Sequence, residues 1–337
     1  MSRRVAVIIP NWNGEKFLRT CLTSLRDQSF EDFEIILADG GSTDGSVAFV
    51  RESFPEVQVI ALGENPGFSG SVNVGIRESR AELVALLNND TEQDAGWLAA
   101  LVRAADGHPE AGSFASKLLS FNDHRVLDGA GDALRRSGLP YRIGHGERDS
   151  GQFDAPGHIF GACAAAALYR RTMLEEIGLF DEDFFAYCED GDLSFRAQLA
   201  GYRCFYVPDA VVYHVGGAST GGKRSATATR LGTRNSISLL AKDLPTQLVP
   251  RLLPSFLAGQ LARFLTATVS GVLPAHLSGL AEAARMAPLM LHKRRGIQKR
   301  RKVPVAYVRR LLAESSKAAR RSLLRRLRDS LLTKAGR

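Results

Sequence analysis

Carboxylates gather in three short stretches of this chain, each beginning where an apolar run stops: 38–46 (ADGGSTDGS), 86–91 (LLNNDT) and 184–196 (FFAYCEDGDLSFR). Such groups can hold a divalent cation, accept a hydrogen bond from a base, or take a proton during a transfer step. The runs IILA and LVALL lead into the first two. Both are short and apolar enough to be buried parallel strands. Asp39 and Asp90 therefore fall near strand carboxyl ends, where open α/β sheets bind ligands.

Each residue has a chemical reading and a structural one. Asp90 is positioned to hold Mg²⁺ or Mn²⁺, which neutralises a diphosphate leaving group using one or two carboxylates, phosphate oxygens and water. Asn88, two residues earlier, lies on the same side of an extended chain and reaches the ion directly or through water. Alone, NND also reads as a turn. Asp39 is suited to accept the imide N–H of uracil or thymine, a donor cytosine lacks; its competing reading is a turn aspartate. Gly40 and Gly41 let the backbone approach a base or ribose. Trp12 offers a flat surface and Asn13 amide groups for a nucleotide, although helix initiation and packing account for both.

Glu189 and Asp190 open a helix after the aromatic run FFAY. Asp190 is expected to be the general base that takes the proton of an acceptor hydroxyl. Its structural alternative is an N-cap, and Asp192 with Arg196 fits an ordinary i, i+4 ion pair. His214 ends the strand-like AVVY before Gly216 and Gly217. It is either a metal ligand through a neutral imidazole nitrogen or a satisfied polar residue.

The elements that must position these groups follow from periodicity. Strands are expected at 5–9, 34–38, 57–61 and 83–87, alternating with helices at 15–28, 45–53, 69–77 and 95–105, an order that predicts a parallel, doubly wound sheet with right-handed crossovers. Asp44 is set to cap the second helix. Residues 120–156 lose any long apolar period and read as an excursion near the site. Regular structure is expected again at 159–169, in helices at 172–177 and 190–200, with Gly201 as terminator, and in closing strands at 204–207 and 210–214.

The 337 residues, 45% hydrophobic, suffice for a large α/β domain with an appendage. The four cysteines show no CxxC spacing and are expected to be reduced core residues of a cytosolic protein. No secretory signal is expected, because Met1 to Arg4 lead straight into the strand VAVII. The net charge of +8 is unevenly spread: residues 292–337 carry 17 Lys/Arg against 2 Asp/Glu, leaving 27 against 34 before them. Such a tail meets something anionic. Beyond Pro245, Leu-rich segments are broken by prolines; 264–280 falls short of a membrane span and reads as part of a surface-lying helical hairpin. After the basic run at 293–302, Leu323, Leu324, Leu327 and Leu331 form an apolar stripe among arginines, the pattern of a helix on an anionic bilayer.

VIIPNWNG, ADGGSTDGS, ENPGFSGSVNVGI, LLNNDT and FDEDFFAYCEDGDLSFRAQLAGYR, in this order, resemble the inverting glycosyltransferase family 2, and within it the rhamnosyltransferase subgroup of bacterial polysaccharide assembly. The resemblance covers about 5–240. It implies a GT-A-type fold, a catalytic domain over 1–240 and a helical, basic, membrane-associating region over 241–337. It further implies that Asp39 reads the base, that Asn88 and Asp90 occupy the DxD metal motif, that Asp190 is the base of the ED motif, and that His214 completes the metal site. Gly67 and Asn73, in ENPGFSGSVNVGI, join Trp12, Asn13, Gly41 and Asn88 as expected nucleotide-binding residues, and Glu189 joins Asp190 as catalytic. Two departures stand out: Asn88 replaces the motif's first aspartate, and Gly40 stands where the family commonly has Asp or Asn.

The implied activity is metal-dependent transfer of L-rhamnose from dTDP-rhamnose to a hydroxyl of a lipid-linked or polysaccharide acceptor, at the cytoplasmic face of the cell membrane. Transfer of galactofuranose or an N-acetylhexosamine from a UDP donor uses the same motifs. A nucleotide-binding Rossmann protein would place GxGxxG after the first strand, where this chain has PNWNG. No base-reading motif accompanies the basic tail, which argues against nucleic acid as partner.

Overall fold

The computed structural model describes residues 3–216 and 225–335, with side chains up to 325. Gly217 and the side chains of Leu327 and Leu331 lie outside the described residues. In chain order the first elements are β1 (Val5–Asn11), α1 (Glu15–Arg26), β2 (Phe33–Asp39), α2 (Ser46–Ser53), β3 (Gln58–Ala61), α3 (Gly67–Glu78), β4 (Leu83–Leu87), β5 (Thr91–Gln93) and α4 (Trp97–Gly107). There follow β6 (Ala111–Ser120), β7 (Leu127–Gly129), β8 (Asp132–Leu134), β9 (Pro140–Arg142), β10 (Gly157–Ile159), β11 (Ala166–Arg170), α5 (Arg171–Ile177), α6 (Glu189–Leu199) and β12 (Arg203–His214). The C-terminal helices are α7 (Ala226–Asp243), α8 (Val249–Val269), α9 (Leu273–Arg300) and α10 (Val305–Ala335).

The main sheet runs β10-β12-β6-β11-β4-β1-β2-β3. Its first four strands in sequence, ordered β4-β1-β2-β3, are parallel as expected. β11 then runs antiparallel to both β4 and β6, while β6 and β12 are again parallel to each other. Alternate residues of β1 face opposite layers. Val5, Val7 and Ile9 pack with Leu18 and Leu22 of α1 and with Trp97, whereas Ile8 packs with Val72 and Ile76 of α3. Each fully buried aliphatic chain contributes about 1.5–3 kcal/mol. Gly75 permits the second contact, because a Cβ there would lie 2.5 Å from Ile8 Cγ2.

Two expectations change. The closing strands form one strand, β12, with a register shift between Val207 and Val211. The excursion at 120–156 contains β7, which extends the sheet from β6, and the β8–β9 hairpin.

The C-terminal helices share a core with the site-bearing part. Phe184, Phe195 and Leu199 cluster with Leu239, Leu252, Met290, Val308 and Leu312. α8 and α9 are joined by a turn at Gly271 (φ +70°), and α9 packs chiefly along α7. Pro274 lies in the first turn of α9, where a missing N–H costs nothing, rather than breaking a helix. Part of the basic run turns inward: Lys293 Nζ lies 2.6 Å from both Asp181 and Asp183. By length and composition alone, Thr246–Val269 is a helix able to cross a membrane, with 11% of that window buried.

Candidate functional site

The carboxyl ends of β1, β2 and β4 meet in one polar network. Asn11, at the end of β1, donates from Nδ2 to Asp39 Oδ1 at 2.7 Å and accepts from Asn89 Nδ2 at 2.6 Å. Asp39, 1% exposed, also accepts from the Ser42 amide (2.9 Å) and Ser42 Oγ (2.6 Å). These bonds make it the aspartate of a turn. Its Oδ2, taken among the described residues only by the Ser42 amide, keeps acceptor capacity for a ligand. Asn13, at φ +51°, clamps the same loop by accepting from the Thr43 amide at 2.8 Å. Trp12 beside it is 43% exposed, a flat ring open to solvent at the strand end.

Glycines bring the surrounding loops close. Gly41 has φ +72°, and a Cβ there would lie 2.9 Å from the Gly63 carbonyl, so its freedom serves contact with the 63–64 loop. Gly67, at φ +76°, would clash with the Phe185 backbone and ring. Asn73 spends its amide on the Phe180 carbonyl and Glu182 Oε1, both at 2.8 Å, and accepts from the Phe180 amide. Gly67 and Asn73 hold the segment that leads into α6.

At the end of β4, three expected residues converge. His214 Nε2, from β12, lies 3.3 Å from Asp90 Oδ1 and 3.3 Å from Asn88 Nδ2. Asp90 Oδ2 accepts from the Gly216 amide at 3.1 Å. The other imidazole nitrogen, Nδ1, is 2.7 Å from Asp128 Oδ2. Burial disfavours a charged His214, but Asp128 and Asp90 outweigh it and raise its pKa. Burial likewise pushes the Asp90 pKa up, and His214 brings it below its ordinary value. A carboxylate, an amide and an imidazole whose far side is pinned by a second carboxylate suit Mg²⁺ or Mn²⁺, the amide binding through its oxygen.

Asp128 belongs to the excursion and was missed in the sequence, as were Asp132 and Arg142. Arg142 Nη1 lies 2.7 Å from Asp128 Oδ2, its Nη2 2.7 Å from Cys163 Sγ, and its Nε 3.8 Å from Asp132. Burial opposes a charged Asp128, yet Arg142, His145 and His214 hold its pKa well below the carboxylate range. Asp132, Cys163 and Asp190 have donor atoms within 4.8 Å of one another. Burial first, then the facing Asp190, raises the Asp132 pKa. Asp132 is thus a carboxyl that favours holding its proton. A continuous run of side chains, His214–Asp128–Arg142–Asp132–Asp190, joins the two halves of the site.

Asp190 sits in the first turn of α6, whose N-cap position is Cys188, not Asp190. Glu189 is buried with Oε2 unpaired among the described residues, and burial followed by Asp190 raises its pKa. Asp192 pairs with Arg196 at 2.9 Å, as the spacing implied, and also with Lys242 at 2.5 Å. Cys21, Cys163 and Cys204 are buried and free, and Cys188 is half-buried.

A family model described as Glycosyl transferase family 2 matches residues 6–178, about half of the chain. The chain belongs to glycosyl transferase family 2. This family 2 glycosyltransferase is 28% identical over 246 residues to the N-acetylglucosaminyl-diphospho-decaprenol L-rhamnosyltransferase of Mycobacterium tuberculosis, covering 66% of this chain and 79% of the relative. Among solved structures it is similar to mannosyltransferase PcManGT from Pyrobaculum calidifontis in complex with GDP-Man and Mn²⁺, with TM-score 0.55, 19% identity and 98% and 88% of the two chains covered. It is also similar to TarS of S. aureus in complex with UDP-GlcNAc, with TM-score 0.55, 17% identity and coverage of 94% and 92%. At these identities the structures share its fold, which is of GT-A type.

Proposed function

We propose that this glycosyltransferase inverts the anomeric centre as it moves L-rhamnose from dTDP-rhamnose to a hydroxyl of a lipid-linked or polysaccharide acceptor in cell-surface glycan synthesis, at the cytoplasmic face of the membrane. The observation that carries the reading is the convergence of Asp90, Asn88 and His214 with Asp190 through one unbroken set of side chains. Similarity to a curated L-rhamnosyltransferase supports the choice of sugar.

The acceptor oxygen bonds to the anomeric carbon, the bond from that carbon to the diphosphate breaks, and the nucleoside diphosphate leaves. Asp190 takes the hydroxyl proton, held ready by the hydrogen bond from protonated Asp132. Trp12 stacks on the thymine or its ribose, and Asp39 Oδ2 accepts the imide N–H. Asn88, Asp90 and His214 are the residues that would hold Mg²⁺ or Mn²⁺, and Asp128 fixes the imidazole tautomer for that purpose. The cation, when bound, neutralises charge on the departing diphosphate.

The test is a panel of dTDP-rhamnose, UDP-galactofuranose and UDP-N-acetylhexosamines, offered with a polyprenyl-diphospho-N-acetylglucosamine acceptor and followed by anomeric NMR of the product. The reading expects turnover of dTDP-rhamnose with inversion. Turnover of UDP-sugars alone rules out the donor, and retention rules out the direct displacement.

A further inference from the structure

One helix face has no use in the chemistry above. From Leu252 to Leu280 the only Lys, Arg, Asp or Glu is Arg263, and its guanidinium turns inward to Thr233 Oγ1 (3.0 Å) and Ser236 Oγ (3.1 Å) of α7. The opposite face of α8 carries Leu253, Leu257, Leu261, Leu265 and Val269, four residues apart and 46–90% exposed. From Leu253 to Val269 the strip is roughly 24 Å long. An uncharged strip of that length in water marks a surface meant to be covered.

What covers it is indicated by the amino-terminal end of the same helix. There a cavity of about 720 Å³ opens between α8 and α10, walled by Leu248, Leu252, Tyr307 and Leu312 and rimmed by Arg136, Arg251, Arg309 and Arg310. Arg310 lies 4.0 Å from Glu314. The side chains of Arg136, Arg251 and Arg309 have no hydrogen-bond or ion-pair partner among the described residues. Guanidiniums gathered at an apolar pocket, beside a longer apolar strip, complement a surface that is anionic outside and hydrocarbon beneath.

We propose that α8 lies in the plane of an anionic phospholipid bilayer, with its leucine strip among the acyl chains and a lipid phosphate in the arginine-rimmed cavity. This deepens the reading of a lipid-linked acceptor, on which it rests, and moves the membrane contact from the basic tail to α8.

The experiment is flotation of the full-length chain, without donor or acceptor, on phosphatidylglycerol/phosphatidylcholine vesicles and on pure phosphatidylcholine vesicles. Wild type is expected to float with the anionic vesicles, less so at 0.5 M salt. The combined L257E, L261E and L265E variant, altered only at exposed positions, should partition at least tenfold less while keeping wild-type circular dichroism and transfer rate in detergent. The R251E and R309E double variant should bring the anionic preference below twofold. Wild-type flotation by the leucine variant overturns the proposal, as does a wild-type dimer that the same variant converts to monomer. Transfer in detergent separates the two readings: a wild-type chain that transfers rhamnose but does not float defeats the docking surface alone, and a wild-type chain that floats but does not transfer defeats the function alone.

Discussion

Replacing Asp128 by Asn tests whether His214 is held for a metal. The wild-type carboxylate accepts from His214 Nδ1 at 2.7 Å and from Arg142 Nη1 at 2.7 Å, and its side chain is only 9% exposed. Water therefore has little room to substitute for the missing charge. Removing a group that orients a metal-bound histidine costs typically ~10–100-fold in metal affinity, or about 1.4–2.7 kcal/mol. Burial argues for the upper half, so D128N should raise the half-saturating Mn²⁺ concentration about 30–100-fold. Calorimetric Mn²⁺ titration, run beside the Mn²⁺ dependence of transfer, measures this directly. At saturating Mn²⁺ the rate should return to within a few-fold of wild type. Thermal melting establishes that the variant folds. A folded D128N enzyme with wild-type Mn²⁺ affinity, beside a His214→Ala enzyme that has lost it, refutes the positioning argument. If His214→Ala also binds normally, the histidine is not a ligand.

Other outcomes follow from the same geometry. Asp190→Asn should lower kcat by roughly 10²–10⁴-fold with donor Kd unchanged within about threefold, measured by single-turnover kinetics and calorimetry. Trp12→Ala should weaken dTDP binding by about 1–3 kcal/mol, with little effect on the melting temperature. Lys242 lies 2.6 Å from Asp181 and 2.5 Å from Asp192 with only 3% of its side chain exposed, so Lys242→Met should destabilise the fold by about 3–5 kcal/mol in urea titration. Burial alone would raise the Asp181 pKa, but Lys242 and Lys293 lower it to about 2. Its stabilisation, about 2 kcal/mol, is therefore complete above pH 4 and lost as pH falls toward 2, which acid titration of wild type against Asp181→Asn should reveal.

Much of the amino-terminal architecture could be read from periodicity. LVALL matches β4 at both ends, because a strand buried on both faces must be apolar throughout. The pairing of Asp90 with His214 was also legible, each ending an apolar run. β6 escaped notice because AGSFASKLLS mixes small and polar residues although nine of its ten positions are buried. Asp128, Asp132 and Arg142 were invisible for a related reason: strands of three residues are too short to show alternation, and their partners lie far off in sequence. The bonds of Asn73 were not legible either, because its partner Phe180 lies 107 residues away.

The last helix has a bearing on how this enzyme can be dissected. Ser315 and Ser316 of α10 accept the amides of Leu134 and Arg136, Ser322 accepts from Gly144, and Arg325 meets the buried Glu147 at 2.7 Å. The tail is thus a splint along the very loop that carries Asp128, Asp132 and Arg142. Trimming the chain near residue 240 to obtain a minimal catalyst would strip that splint away and expose Phe184 and Phe195 to water. Such a fragment should lose its active centre before it gains solubility.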